Sequence, residues 1–371
     1  MLKRITIRNF KGFKSLTFDL TAADYSYNPN LVKDGIVNKA LVYGKNGSGK
    51  TSLGFAIFDL VRHLTDKRPF NSPNAIEYYQ NLDNRSVPVF FEYVFSFDYK
   101  TVVYAYEKSD LYNLNYEKLL VDDKTVLDYH YDYDAPRQFV ASELKGQLNT
   151  ELPDNKLSIL KYIYKNSITG ALPEYFTQMM HFCENMLWFR SLLGGNDYCG
   201  LTNWEGTLDK MLYDNGNLSE FQKFLAKNEL HYDLGFEVDD GDPKLYAYFN
   251  NRQSKARFNY IASSGTQALW LLFNWMALAK DKLSLLFIDE FDAFYHFETA
   301  ANIMKLLNEK RSFQSILTTH NTYLMQNAFT RPDCCFLLNG SSIKSLKKST
   351  DRELREAHNL EKMYINGAFT E

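Results

Sequence analysis

The chain has 371 residues, with 42 Lys and Arg against 45 Asp and Glu, a formal net charge of −3. That length supports a large core in two or three lobes, and the charge excludes a strongly basic nucleic-acid coat, although a local basic groove stays compatible with it. Met1 leads into a charged, alternating segment rather than an apolar signal region, no run of about 18 apolar residues occurs, and the four cysteines lack paired zinc-site spacing. These features predict a cytosolic protein without a membrane span, holding its cysteines as buried free thiols.

In chain order, Leu2 to Leu20 alternates apolar and polar residues and predicts two strands around a turn near Gly12. Residues 21 to 38 read as a polar hairpin or loop. Residues 39 to 43 are a buried strand, followed by Gly44-Lys45-Asn46-Gly47-Ser48-Gly49-Lys50-Thr51-Ser52 and a periodic apolar run through Leu53, Ile57, Leu60, Val61 and Leu64. The spacing G-x-x-x-x-G-K-[ST] between a strand and a helix is a phosphate-binding loop: its glycines turn backbone N–H groups inward at a polyphosphate, and the helix adds its positive end. Lys50 is then placed to reach the β- and γ-phosphates and Thr51 to hold Mg²⁺.

Residues 66 to 86, rich in Asn, Pro and Asp, predict a loop. A β-meander is expected over 87–98, 101–108 and 116–121, closing an N-terminal lobe over 1–136. From about 137 to 235 helical spacing dominates, as in Leu157, Leu160, Ile163 and Tyr164 and again over 175–192, broken by Gly194-Gly195-Asn196. No heptad persists, so a compact helical lid is expected rather than coiled-coil arms. Strands return at 233–238 and 244–249 within a C-terminal lobe over 236–371. The many Tyr and Phe side chains are spread along these elements and read as core.

The C-terminal lobe carries the remaining chemistry. Leu283 to Ile288 is an apolar run ending in Asp289-Glu290, a buried parallel strand that delivers two carboxylates at its C-terminal end. Asp289 is expected to share Mg²⁺ with Thr51, and Glu290 to orient or deprotonate a water attacking the γ-phosphate. Upstream, Ser263-Ser264-Gly265 before an apolar helix is a second anion-binding device, although a turn of this kind alone is an ordinary helix cap. A strand over 315–319 ends in His320, placed to sense the γ-phosphate. His296 either contacts a partner or caps the next helix. Lys344, Lys347 and Lys348 read as a solvated strip.

The order of phosphate loop, Ser-Ser-Gly-Thr, Ile-Asp-Glu and Thr-His resembles ABC-class ATPase heads in the branch shared with SMC proteins, as does the opening Ile5-Thr6-Ile7-Arg8-Asn9-Phe10-Lys11-Gly12-Phe13. More narrowly, Ile288 to His296, Thr318 to Leu324 and the tail from Leu354 through Leu360, Met363, Tyr364 and Gly367 resemble the OLD-type and abortive-infection ATPases of bacteria. The resemblance implies an α/β fold with a split ABC-type head, ATP and Mg²⁺ as ligands, and a head-to-tail homodimer in which Ser263, Ser264 and Gly265 complete the partner's nucleotide site. It also implies that His320 is the switch histidine. Ala262 and Ser264 depart from the usual signature, which predicts slow turnover. The glutamine of the Q-loop is not evident; Gln80 and Gln138 are candidates.

OLD proteins carry a TOPRIM nuclease after the ATPase. Only 51 residues follow His320 and they hold no cluster of carboxylates, so none is expected here. The reading is a nucleotide-driven dimerisation switch in defence against phage, acting on a separately encoded effector. Two alternatives share the motifs: a DNA-repair or chromosome-maintenance ATPase, which DNA-stimulated hydrolysis would favour, and an ATP-bound scaffold without useful turnover.

Overall fold

The computed structural model describes every residue except 68–77, 133–138, 153, 169, 191–196, 202–205, 240, 341 and 370–371. The glycine break at 194–196 and Gln138 therefore lie outside the described residues.

Strands β1 (Leu2–Phe10) and β2 (Phe13–Asp19) form the expected hairpin, with Phe10 opposite Phe13. Two short strands, β3 (Val32–Lys33) and β4 (Ile36–Val37), lead into β5 (Lys39–Tyr43), the phosphate loop and helix α1 (Lys50–Leu64). The meander follows as β6 (Val89–Phe97), β7 (Lys100–Lys108), β8 (Leu114–Val121) and β9 (Lys124–His130). Strand β9 is additional to the expectation. Asp122 and Asp123 both take positive φ, 47° and 64°, the geometry of a tight two-residue hairpin, so the chain turns straight back into a further strand. With β10 (Phe139–Val140) these strands make an antiparallel sheet in the order β10-β9-β8-β7-β6-β1-β2.

The stretch expected to be a helical lid is divided. Helices α2 (Ser142–Lys145), α3 (Ile159–Asn166) and α4 (Glu174–Glu184) come first, and α3 and α4 pack on α1. Residues 186 to 190, expected inside a helix, are instead strand β11 (Met186–Arg190), joined antiparallel by β12 (Asp197–Gly200). A short apolar run buried on both faces has no periodicity that separates strand from helix, and here it pairs in parallel with the carboxylate strand. Helices α5 (Leu208–Asp214) and α6 (Leu218–Lys227) then pack beneath a small sheet of β13 (Asp233–Asp239), β14 (Asp242–Phe249) and β15 (Ser254–Arg257).

The rest of the chain completes the central sheet. Helices α7 (Phe258–Ile261) and α8 (Ser264–Ala279) precede β16 (Leu285–Asp289); α9 (Phe297–Glu309) precedes β17 (Gln314–Thr319); then come β18 (Cys335–Leu338), β19 (Ile343–Ser345) and α10 (Leu360–Ile365). Its order is β12-β11-β16-β17-β5-β18-β19, with the five inner strands parallel. Strand β5 shows why its residues are continuously apolar. Ala40 and Val42 face a core shared with α1 and the antiparallel sheet, while Leu41 and Tyr43 face a second core with α8 and α9. Both faces are covered, so no alternation is seen. Helix α1 approaches so closely at Gly54 that a Cβ there would lie 2.6 Å from the Trp188 ring.

A buried polar cluster ties α1 to the antiparallel sheet. Asp59 accepts from Lys108 Nζ and Tyr106 Oη, each at 2.7 Å, and from Tyr79 Oη at 3.1 Å. Burial pushes the Asp59 carboxyl up, but the Lys108 charge and hydrogen bond outweigh it and hold the group below the usual carboxylate range. The phosphate-loop helix is thus fastened to the sheet by a satisfied ion pair. All four cysteines are buried free thiols.

Lys39, which opens β5, is 4% exposed; its Nζ donates to the Phe313 carbonyl at 2.7 Å and lies 4.0 Å from that ring's centroid. Burial pulls its pKa down from 10.5 to about 7. A proton on Lys39 therefore favours the unfolded chain: the penalty is full below pH about 7 and fades as pH rises towards about 10.5. Lys39→Met is expected to melt higher relative to the native chain at about pH 6 than at about pH 10. A difference between the two proteins that stays the same at both pH values would contradict the lowered pKa.

Candidate functional site

The phosphate loop is built as its glycine spacing requires. Gly47 and Gly49 take φ of 78° and 103°, and a Cβ on Gly49 would lie 2.8 Å from the Phe13 ring. Gly44 N donates to the Thr319 carbonyl at 3.1 Å, fixing the start of the loop against the neighbouring strand. Lys45, Asn46 and Gly47 are exposed. Ser48 is buried, and its Oγ has no hydrogen-bond partner. A buried hydroxyl left unpaired is costly, and inside a loop of this geometry it suits a phosphate oxygen.

Lys50 is buried, and its Nζ donates to the carbonyls of Gly44 at 2.8 Å and Lys45 at 3.2 Å. The same ammonium lies 3.7 Å from Glu290 Oε1. At the next position, Thr51 Oγ1 donates to Asp289 Oδ2 at 2.6 Å. The loop and the carboxylate strand, 238 positions apart in sequence, therefore meet. Thr51 and Asp289 offer only oxygen atoms, the donor type of a hard cation that keeps most of its remaining positions for phosphate and water. They fit Mg²⁺, which when bound would neutralise charge on the polyphosphate.

Two residues that the motif reading did not single out organise this corner. Thr318 Oγ1 donates to Asp289 Oδ1 at 2.8 Å and accepts from Glu290 N at 2.8 Å. Phe291 N donates to the Thr318 carbonyl at 3.1 Å. These bonds hold Glu290 at φ 47°, a conformation a Glu rarely adopts and that costs on the order of 1–3 kcal/mol. The backbone turns there and presents the side chain to Lys50. Thr319 Oγ1 donates to the buried Asp292 at 2.9 Å and accepts from Asn321 N at 2.9 Å, which sets the turn carrying His320. His320 is exposed immediately after β17. The repeated threonine before the histidine was the available signal.

Ser263 and Ser264 are exposed. Ser263 Oγ accepts from Thr266 N at 3.2 Å, so this turn is a helix cap, and Gln267 Nε2 braces it through the Asn259 and Ala262 carbonyls, each at 3.1 Å. Gly265 has a second reason for its identity: a Cβ would lie 2.6 Å from the Phe294 carbonyl. The turn thus sits against the segment that follows the carboxylates, with the Ser263 hydroxyl turned in to cap the helix and Ser264 exposed. His296 stands at the N-cap of α9 without a side-chain cap bond, 3.5 Å from Glu298 Oε2. Lys348 pairs with Asp19 at 2.6 Å, while Lys344 and Lys347 are exposed.

Of the Q-loop candidates, Gln80 bonds Val87 in the antiparallel lobe. Opposite Asp289 in the sheet register stands Arg190, at the end of β11. The strand's misreading as helix hid it.

Residues 205–326, which include the Ser-Ser-Gly turn, both carboxylates and His320, match the family described as "AAA domain, putative AbiEii toxin, Type IV TA system". No curated protein matches the chain in sequence. Among solved structures, the SMC head domain from Thermotoga maritima is similar at 16% identity and TM-score 0.45, covering 93% of this chain and 99% of that one. The Smc head domain with an extended coiled coil derived from Pyrococcus furiosus is 12% identical at TM-score 0.45, covering 99% and 98%. The recombination mediator protein RecF is 14% identical at TM-score 0.39, covering 93% and 98%. The segment that resembles that family carries Asp289 and Glu290, and the loop before α1 reaches Asp289 through Thr51 at 2.6 Å.

Proposed function

We propose that this protein binds and slowly hydrolyses ATP with Mg²⁺, and that two copies close head to tail over two nucleotides as a switch in anti-phage defence. The observation that carries the ATPase reading is the corner itself: Lys50 reaches from the loop carbonyls to Glu290 while Thr51 bonds Asp289 at 2.6 Å. Lys50 would pair with the β- and γ-phosphates. Glu290, held by Thr318 beside that position, would accept the proton of an attacking water. The exposed turn of Ser263, Ser264 and Gly265 would face a nucleotide held by a second copy, and His320 would follow the γ-phosphate.

The defence role is supported by the family description over residues 205–326. Among the described residues no group of three or more His, Cys, Asp or Glu side chains could hold a metal, and no helix is long and apolar enough to cross a membrane. The output would then come from a separately encoded effector in the cytoplasm, docked on the surface of helices α2 to α6 or on the C-terminal segment. Cells carrying this gene with its neighbour, challenged with phage, should be protected, and neither gene alone should suffice. Affinity capture should show the two products together in one nucleotide state and not the other. Protection by this chain alone would overturn the separate effector.

A further inference from the structure

The run Asn359-Leu360-Glu361-Lys362-Met363-Tyr364 with Gly367 is a sequence feature that the nucleotide site leaves unused. In the structure it builds helix α10. Asn359 Oδ1 accepts from Lys362 N at 2.8 Å and caps the start, while Gly367, at φ 70°, ends the helix with Ala368 N donating to the Met363 carbonyl at 2.9 Å. Leu360 is buried in the core shared with α8 and α9. A helix of six residues has little stability of its own, so its place is set by what its side chains hold.

Two of those side chains reach elements of the nucleotide site. Tyr364 packs edge-on against Tyr43, the last residue of β5 before the phosphate loop, with ring centroids 5.0 Å apart. Glu361 turns to the segment beyond His320: its Oε1 accepts from Thr322 Oγ1 at 3.1 Å and its Oε2 from Gln326 Nε2 at 3.2 Å. These donors open and end the single helical turn Thr322–Met325, whose Leu324 and Met325 are buried in the same core.

The exposed His320 takes its place from the backbone on either side of it. On the strand side, Thr319 Oγ1 donates to the buried Asp292 at 2.9 Å and accepts from Asn321 N at 2.9 Å. On the far side, Asn321 Oδ1 accepts from Tyr323 N at 3.0 Å, and Glu361 ties Thr322 to Gln326. Two carboxylates, one from the segment after β16 and one from α10, thus bracket the histidine. A carboxylate holds its donors more strongly than a neutral acceptor does.

Resting on the reading of His320 as the group that follows the γ-phosphate, we propose that Glu361 is a positioning residue for that histidine. It holds the turn Thr322–Met325 so that His320 stands at the nucleotide, and α10 ties that turn to the strand that carries the phosphate loop. Its effect falls on the chemical step, where a displacement of about 1 Å can cost on the order of 10² in rate, and not on affinity, which the loop supplies.

Single-turnover hydrolysis and MgATP titration calorimetry test the assignment. Glu361→Ala should lower the rate about tenfold or more while MgATP affinity stays native, and Glu361→Gln, which keeps an acceptor oxygen, should retain most of the rate. Thr322→Val removes a donor from the other end of the same bond. It should slow the reaction in the same direction, and it keeps the test open should Glu361→Ala not fold. In a His320→Ala background, Glu361→Ala should cost nothing further, because a positioning residue acts only through the group that it positions. Native rates in Glu361→Ala and Thr322→Val would overturn the assignment. So would an equal loss with and without His320, which would make Glu361 a support of the fold at large. Native turnover in His320→Ala itself would overturn the underlying reading of the histidine, and a native chain without turnover that of the ATPase.

Discussion

Lys50→Ala is expected to lose ATP turnover by about 10²–10³ or more and to weaken MgATP binding. The reason is local and electrostatic. Lys50 is buried, its ammonium is held within the loop by two carbonyls, and Glu290 lies 3.7 Å away. A triphosphate moved out of water into that corner would meet a carboxylate pair without the fixed positive charge that offsets it. The native chain should melt higher with MgATP than without, because a ligand that binds only the folded state stabilises it. The variant should show little of that rise. Unchanged hydrolysis in Lys50→Ala would eliminate the assignment of the loop.

Glu290→Gln separates binding from chemistry. The amide has nearly the shape of the carboxylate, so the bonds from Thr318 to the residue 290 backbone and to Asp289 should persist. Asp289 still meets Thr51. What is lost is the proton acceptor, a contribution commonly worth about 10²–10⁴ in rate. The variant should therefore retain MgATP affinity, turn over far more slowly and accumulate in the nucleotide-bound form. A single-turnover rate equal to that of the native chain would remove Glu290 from the chemistry.

The parts of this molecule that could be read from sequence are those in which the physics is local. Glycines at 47 and 49 are demanded by positive φ, and the periodic run after Lys50 has one helical answer. The apolar run before Asp289 is bounded by polar residues and becomes a buried strand over Leu285–Asp289. Strand β11 was not legible, because Met186 to Phe189 is apolar on every side and gains its strand character from pairing with β16, about a hundred positions later. With it went Arg190, whose place opposite Asp289 is a fact of register. Thr318 likewise could be seen as a strand residue but not as the bridge between Asp289 and the Glu290 backbone. Tyr364 belongs to the same class: nothing near it in sequence points to Tyr43, and their contact exists only once β5 and α10 are in place. Long-range register and packing, rather than weak local propensity, hid these residues.

Two-copy closure is the central element of the proposed switch, since it is the device by which a nucleotide could bias a bistable assembly. Light scattering on Glu290→Gln, with and without MgATP, measures it directly. The account predicts an ATP-dependent rise to the mass of a closed pair, and loss of that rise when Ser264→Arg places a bulky cation on the exposed turn before α8. A Glu290→Gln protein that binds ATP yet keeps the same mass at every nucleotide concentration would contradict it.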